Sequence, residues 1–365
     1  MNNLHNLHKR RPGERQFHRM LAAAGVDPGL VRSRTELEDA TFNTVYRVRL
    51  SEDAPRYSGL VLKIAPDPAQ PTLSYERGIM RTEGLFYAAA AGRAPVPEVV
   101  YADFSRELID TDFLVLTDLP GANWSATRER IGDDERAGLR GELGSLVAAL
   151  HEVTGPAFGY PQTAQLPEAA RVLRTAGAPE AASLAPPPGW RAAFLAMVDT
   201  VLADAAAFGA PLPEPAERIR ETVHAAADPL DAVTTPVLVH FDLWDGNILV
   251  DRAAPDGPHR ISGLIDGERA FWGDPLAELV SLALFEDIER DGAFLDGYRS
   301  AGGRVDFDAE TRRRLALYRC YLYLIMLVEV VPRGFSGPEQ EARDRHVSGL
   351  LRAELAALGR AGPAS

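Results

Sequence analysis

Between Val237 and Val250 the chain reads VLVHFDLWDGNILV, two apolar runs around a polar centre that holds His240, Asp242, Asp245 and Asn247. Runs such as VLV and ILV have the composition of buried strands. Two buried strands do not keep so many polar groups between them unless those groups have partners. The segments NILVD and ISGLID flank RAAPDGPHR, whose Asp256-Gly257 pair is a two-residue hairpin-turn signal. An antiparallel pair centred on that turn sets Asn247 opposite Asp266, with Pro255 and Pro258 placed symmetrically. Asp242, Asn247 and Asp266 then meet at the open end of one hairpin. Two carboxylates and an amide oxygen in a small space call for a hard cation between them, and an all-oxygen set favours Mg2+ over zinc. With so few protein ligands Mg2+ keeps waters or takes phosphate oxygens, which points to a nucleotide.

The order His240-x-Asp242-Leu243-x-x-x-Asn247, followed by Asp266, reproduces the catalytic-loop spacing of eukaryotic-type kinases. That spacing asks for a lysine on an early strand. Lys63 stands in LVLKI, and Lys9 and Lys63 are the only lysines among 39 basic residues. A compact ammonium that reaches the α- and β-phosphates of ATP explains why this position is not arginine. The partner of Lys63 should be a helix glutamate. Glu76 and Glu83 compete, and Glu83 is preferred.

The elements that must carry these groups can be read along the chain. Residues 41–50 and 60–66 alternate as the two strands of a hairpin. Residues 73–92 have helical spacing, VPEVVYADF and residues 112–119 read as strands, and residues 128–155 as a long helix. Residues 161–189 are rich in Pro and Ala and read as a loop. Helical patterns follow at 190–208 and 214–227, then the second hairpin, then helices near 275–300, 308–331 and 338–360. The expected class is α+β: a small β-rich N-lobe over residues 1–118 and a larger, mainly helical C-lobe over 119–365.

Composition bounds the partners. A net charge of −13 repels polyanions and argues against nucleic acid or an acidic membrane. The longest apolar run, YLYLIMLVEVV, contains Glu329 and is too short to span a bilayer, which needs about 20 residues. The N-terminus has no apolar core of a signal peptide. Cys320 is the only cysteine, so no intrachain disulfide forms and a reducing cytoplasm fits. Monomer and homodimer both stay open.

With these motifs assembled, the chain resembles the aminoglycoside phosphotransferase and choline kinase-like family. The resemblance runs from TFNTVYRV through LVLKIAP, RTEGLFY, FLVLTDLPG and LVAALHEVTG, and its most specific stretches are HFDLWDGNILV and LIDGERAFWGDPLAEL. It implies a bilobal protein-kinase-like fold with ATP in the cleft and a hinge near Thr117–Leu119. It implies that Asp242 is the catalytic base, that Asn247 and Asp266 hold Mg2+, that Glu268 and Asp274 surround the metal site, and that His240 supports the loop. Backbone amides between Thr41 and Thr44, Asn43 among them, would hold phosphates. Glu278 stands where the family often has Asp, and the first hairpin loop has Ala40 and no glycine.

Phe241 stands where protein kinases carry an arginine, and only a short run separates Asp266 from Pro275, so no peptide platform fits. The expected acceptor is therefore a hydroxyl of a small molecule. An antibiotic of aminoglycoside, nucleoside or macrolide type leads, and a sugar or amino alcohol (fructosamine, choline or homoserine type) is the alternative. A nucleotide-binding pseudokinase is disfavoured because Lys63, Asp242, Asn247 and Asp266 are all present. The acidic run FEDIERDG, with Glu286 and Asp287, could receive ammonium groups, while Glu268, Trp244 and Trp272 could line the acceptor.

Overall fold

A computed structural model describes residues 9–38, 42–161, 187–252, 254 and 257–360. Helix α1 (Glu14–Ala23) leads into β1 (Val31–Glu36), β2 (Thr44–Leu50) and β3 (Gly59–Ile64). Helix α2 (Ile79–Ala90), β4 (Val99–Asp103) and β5 (Phe113–Thr117) complete an antiparallel five-stranded sheet in the order β1-β2-β3-β5-β4. Phe17, Met20 and Leu21 of α1 bury one face of that sheet against Val48, Leu60, Leu62 and Val115. On the other side, Phe86 of α2 joins the large core of the helical lobe together with Leu114 and Leu116.

The second lobe carries α3 (Asp133–Leu150), α4 (Trp190–Phe208), a helix at Ala216–Ala225, a short one at Glu278–Leu282, another at Gly292–Ser300, α5 (Ala309–Val328) and α6 (Pro338–Arg360). The helix α5 is buried along most of its length, and Asp308 caps it by accepting the Thr311 N–H at 2.7 Å. Strands β6 (Ala122–Asn123), β8 (Ile248–Arg252) and β9 (His259–Leu264) form a small sheet, and β7 (Val237–Val239) pairs with β10 (Phe271–Gly273). Among the described residues no helix is long and apolar enough to cross a membrane.

Three expectations are corrected. The stretch 73–92 is not one helix, because Gly78 adopts φ +76° between a turn at Ser74–Glu76 and α2. Glu76 and Glu83 therefore do not share a face. The segment 275–300 is likewise broken into four short helical pieces, Pro275–Ala277, Glu278–Leu282, Ile288–Arg290 and Gly292–Ser300. The hairpin register also differs. Ile248 pairs with Leu264 and Leu249 with Gly263, then Val250 pairs with Ile261, so Ser262 is bulged out. The outermost pair is Arg252 with His259, so the connection is longer than two residues, and Asn247 faces Ile265, whose N–H it accepts at 3.0 Å. Asp266 lies one position beyond. Residues 162–186, Thr41 and Asp256 lie outside the described residues.

Candidate active site

The loop between β7 and β8 is held from below by side chains that take up its backbone donors. Glu278 accepts the N–H groups of His240 at 2.7 Å and Phe241 at 3.1 Å. Ser281 Oγ accepts the Leu243 N–H at 3.1 Å. These anchors hold Phe241 at φ +63°, a conformation a bulky residue keeps only when its surroundings impose it. His240 is buried, its Nε2 donating to the Ile265 carbonyl at 2.9 Å and its Nδ1 accepting the Asp242 N–H at 3.3 Å. Burial lowers its imidazole pKa, so the ring is a neutral strut, and Phe86 packs edge-on against it at 4.8 Å. Asn247 Nδ2 donates to the Asp242 carbonyl at 2.8 Å, which leaves the amide oxygen as its free acceptor.

One side of the loop meets the N-lobe. Lys63 Nζ lies 2.7 Å from Glu83 Oε2 and 3.3 Å from Glu268 Oε2, and also pairs with Asp266. Tyr87, one turn after Glu83 on α2, donates to Glu83 Oε1 at 2.7 Å and accepts the Asp266 N–H at 2.9 Å. Asp266 sits at φ +65°, and Gly267 must be glycine because a Cβ there would meet Phe86 at 2.3 Å. Carboxylate oxygens of Glu83, Asp266 and Glu268 lie within 4.8 Å of one another.

One ammonium among three carboxylates leaves the cluster short of positive charge. Burial alone would lower the Lys63 pKa, but Asp266, Glu83 and Glu268 hold it well above its ordinary value. Burial, reinforced by Asp266, pushes Glu268 up to about 8, and burial also raises Glu83. Asp266 goes the other way: burial opposes its charge, but Lys63 outweighs that and lowers its pKa. Asn43 donates to Glu268 Oε2 at 2.8 Å while its own Oδ1 is buried with no hydrogen-bond partner among the described residues. Clustered carboxylates with an orphaned amide oxygen beside them suit a hard divalent cation.

The other side of Asp242 is cationic. Arg269 Nε lies 3.7 Å from Asp242 Oδ2, while Arg269 Nη2 donates to Glu329 Oε2 at 2.7 Å. Burial raises the Asp242 pKa and Arg269 only partly opposes that rise, so the carboxylate is more basic than an ordinary one and lies beside a guanidinium. A buried carboxylate of raised basicity next to a fixed cation and a metal-suited cluster can orient a hydroxyl and receive its proton.

The sequence profile of the phosphotransferase enzyme family matches residues 33–318. The chain belongs to this family. Its members are phosphotransferases, and the match spans Lys63, Glu83, the loop 240–247, Asp266 and Arg269, but not Glu329 or Arg333. Solved structures agree on the fold. A protein from Thermobifida fusca described as a candidate fructosamine-3-kinase shares 22% identity at TM-score 0.57, over 92% of this chain and 97% of that one. A thermostable variant of aminoglycoside phosphotransferase APH(4)-Ia, in ternary complex with AMP-PNP and hygromycin B, shares 17% identity at TM-score 0.57, over 93% and 98%. The macrolide 2'-phosphotransferase MphH from Brachybacterium faecium, as apoenzyme, shares 20% at TM-score 0.52, over 92% and 96%. No sequence match was found among curated proteins.

Within this phosphotransferase chain the sequence-derived residues fall into two groups. Lys63, Glu83, Asp266, Glu268, Asn43, Asp242 and Asn247 are brought together around the loop 240–247. Glu76 is not the partner of Lys63; it hydrogen-bonds Arg333 and accepts the Leu73 N–H at 2.8 Å. Thr117 turns to β4, its Oγ accepting the Glu98 N–H at 2.9 Å, and Leu119 covers Gly263, where a Cβ would approach its Cδ1 to 2.7 Å. Asp274 lies apart from the metal-suited cluster and braces the helical lobe, bonding Tyr318, Arg314 at 2.8 Å and the Leu276 N–H at 3.0 Å.

Three residues expected to line an acceptor do not. Trp272 is 4% exposed, because it lies between β7 and Gly159, with which it exchanges backbone hydrogen bonds at 2.8 and 3.0 Å, and its ring fills the space where a Gly155 side chain would stand. Glu268 belongs to the Lys63 cluster. Asp287 caps Ile288–Arg290 by accepting the Glu289 N–H at 3.0 Å. Glu289 in turn is paired with Arg312 at 2.7 Å and Asp291 with Arg140 at 2.6 Å, so the acidic run is largely neutralised internally. Glu286 is exposed and keeps no side-chain partner among the described residues. Trp244, at 43% exposure and folded over Gly246, remains open to a ligand. Arg269, Glu329, Arg333 and Tyr87 were not read as site residues. The one available signal was Glu329, a carboxylate inside an apolar run that must have a buried partner.

Proposed function

We propose that this phosphotransferase moves the γ-phosphoryl of ATP, with Mg2+, to a hydroxyl of a small molecule. The observation that supports this most is the placement of Asp242, its carboxylate facing Arg269 on one side of a loop whose other side meets the Lys63 cluster. We take the lobes as residues 1–118 and 119–365, with ATP between them and the hinge at Thr117–Leu119. Lys63 holds the α- and β-phosphates and is itself oriented by Glu83. Asn247 and Asp266 would hold Mg2+, which when bound neutralises charge on the β- and γ-phosphates, with Glu268 beside them. Asp242 aligns the acceptor hydroxyl and takes its proton as the phosphorus–oxygen bond to that hydroxyl forms and the bond to ADP breaks. Arg269 stands beside the Asp242 carboxylate and favours its charged form against burial. Positioning and charge neutralisation do most of the work.

The acceptor enters over the helical lobe, where Trp244 offers a stacking face. Because most of the acidic run is occupied by Arg312, Arg140 and a helix cap, a neutral acceptor fits better than a polycation. An antibiotic with a neutral hydroxyl, nucleoside- or macrolide-like, leads over an aminoglycoside. A metabolic sugar or amino alcohol is the second reading: a sugar is neutral, and an amino alcohol brings one positive charge, for which Glu286 is exposed. In a cell this activity would serve antibiotic resistance or sugar metabolism in the cytoplasm. An ATP-consumption screen over aminoglycosides, macrolides, nucleoside antibiotics, glycated amines and amino alcohols tests the assignment. Acceptor-stimulated ADP release that disappears in Asp242→Asn supports it, and the same release in that variant contradicts it.

A further inference from the structure

We infer that Arg333 is a positioning residue that ties closure of the two lobes to the placement of the catalytic base; the inference rests on the reading of Asp242 given above. Arg333 follows α5 in the turn before Gly334 and is nearly buried. It hydrogen-bonds Glu76 of the N-lobe, lies 3.2 Å from Glu329 Oε2 of the C-lobe, and places its guanidinium 4.7 Å over the ring of Phe42 in the β1–β2 loop. Glu329 Oε2 is shared, because Arg269 Nη2 donates to the same oxygen at 2.7 Å while its Nε stands 3.7 Å from Asp242. One line of charges thus runs Glu76, Arg333, Glu329, Arg269, Asp242.

The N-lobe end of that line is not a loose surface pair. Glu76 is buried, and its other oxygen accepts the Leu73 N–H. Ser74 donates from its N–H and hydroxyl to Asp204 on α4 at 2.8 and 2.6 Å, and Tyr75 stacks on Tyr160 at 5.5 Å with the planes 13° apart. Gly78 then turns the chain into α2, which carries Glu83 to Lys63. The segment before α2 is therefore fixed to the C-lobe at three points, and the same helix serves the opposite side of the cleft.

The distances show why Arg333 matters to Asp242 although it does not touch it. Arg269 divides itself between Glu329 and Asp242 and is closer to Glu329. Arg333 satisfies part of the Glu329 charge. Without it, a buried Glu329 has one cationic partner and draws Arg269 fully to itself, away from Asp242. Burial opposes ionisation of Glu329, but Arg333, Arg269 and the more distant Arg343 outweigh it and lower its pKa, with Arg333 the largest of the three. Parting of the lobes that frees residues 74–76 from Asp204, Tyr160 and Arg333 takes the anchor from Arg333, and the line slackens. The base would be correctly set only when the lobes are together.

The test compares wild type, Arg333→Gln, Arg333→Lys and Glu76→Gln in the full chain. Two quantities are read: hydrolysis of Mg·ATP alone, with water as acceptor, and backbone amide exchange. Arg333→Gln should lower kcat by about tenfold or more while KM for ATP stays within about twofold. It should also speed exchange together at residues 73–77 and 240–247, in both lobes. Arg333→Lys should restore most of both, and Glu76→Gln should give the weaker version of the same pattern. Unchanged kcat in Arg333→Gln, or faster exchange confined to residues 329–337, overturns the inference and leaves the proposed function standing. If wild type binds Mg·ATP but does not hydrolyse it, exchange alone decides the coupling, a joint rise supporting it and a local rise overturning it, while the proposed function is judged by the acceptor screen. Should Arg333→Gln not fold, Glu76→Gln, which keeps the guanidinium, carries the same comparison.

Discussion

Two buried charge clusters flank the loop 240–247, and they handle burial in opposite ways. On the N-lobe side a single ammonium, Lys63, stands among Glu83, Asp266 and Glu268. On the C-lobe side two guanidiniums, Arg269 and Arg333, are interleaved with Asp242, Glu329 and Glu76. The first cluster is short of positive charge and one carboxylate, Glu268, is pushed up to about 8 by burial and by Asp266. The second is close to balanced and alternates sign along its length. A cluster short of positive charge is built to receive a cation. A balanced one is built to hold its members still. The pairing of a receptive cluster with a rigid one around a single carboxylate is the physical content of the proposed site.

This contrast can be broken from either side. Within the two clusters, Asp242 aside, Asp266→Asn should have the largest effect, roughly 10³-fold in turnover, with weaker Mg2+ dependence, measured by coupled ATP consumption across Mg2+ concentrations. Lys63→Met should lower kcat by about 10²-fold, as expected for loss of one preorganised donor. It should also make thermal stability depend on Mg2+, since the three carboxylates then lack their cation. A melting curve insensitive to Mg2+ in that variant would contradict the account of the receptive cluster. Trp244→Ala should raise KM for the acceptor several-fold, with KM for ATP unchanged, because an exposed stacking face contributes about 1 kcal/mol; equal changes for both substrates would remove Trp244 from the acceptor side.

The smallest effect concerns stability. Burial lowers the pKa of His151 to about 3 and also lowers that of His240. Each ring is neutral in the folded state but protonates in the unfolded chain below about pH 6.5. Their contribution is therefore complete above pH 6.5 and is lost as pH falls, for His151 down to about 3, by no more than ~1.4 kcal/mol per pH unit. Urea midpoints at pH 7.5 and 5 should show this loss, and His151→Gln should reduce it. An equal loss in that variant would show that His151 does not carry it.

The receptive cluster was legible because its key members lie in short, patterned stretches. Asp242 and Asn247 sit in one loop, Asp266 follows at the end of the return strand, and Lys63 stands out against an arginine-rich background. The register was misplaced because the Ser262 bulge and the longer connection leave no composition signal. The choice between Glu76 and Glu83 turned on Gly78, whose positive φ separates two residues that a continuous helix would have put on one side. Strand β1 was invisible because VRSRTE has no apolar alternation: it is an edge strand, mostly exposed. The rigid cluster was illegible for a different reason. Glu76, Asp242, Arg269, Glu329 and Arg333 come from distant parts of the chain, and only tertiary packing gives each its partner. Trp272 shows the same limit, since nearness in sequence to Asp266 said nothing about the β7–β10 pairing that buries it.

The most direct measurement is phosphoryl transfer by Asp242→Asn beside its affinity for Mg·ATP. The substitution keeps size and removes the proton acceptor, and it leaves Lys63, Asn247 and Asp266 in place. The account predicts ATP affinity within about threefold of wild type and transfer reduced by on the order of 10²–10⁴-fold. Transfer at the wild-type rate with intact ATP binding would contradict it.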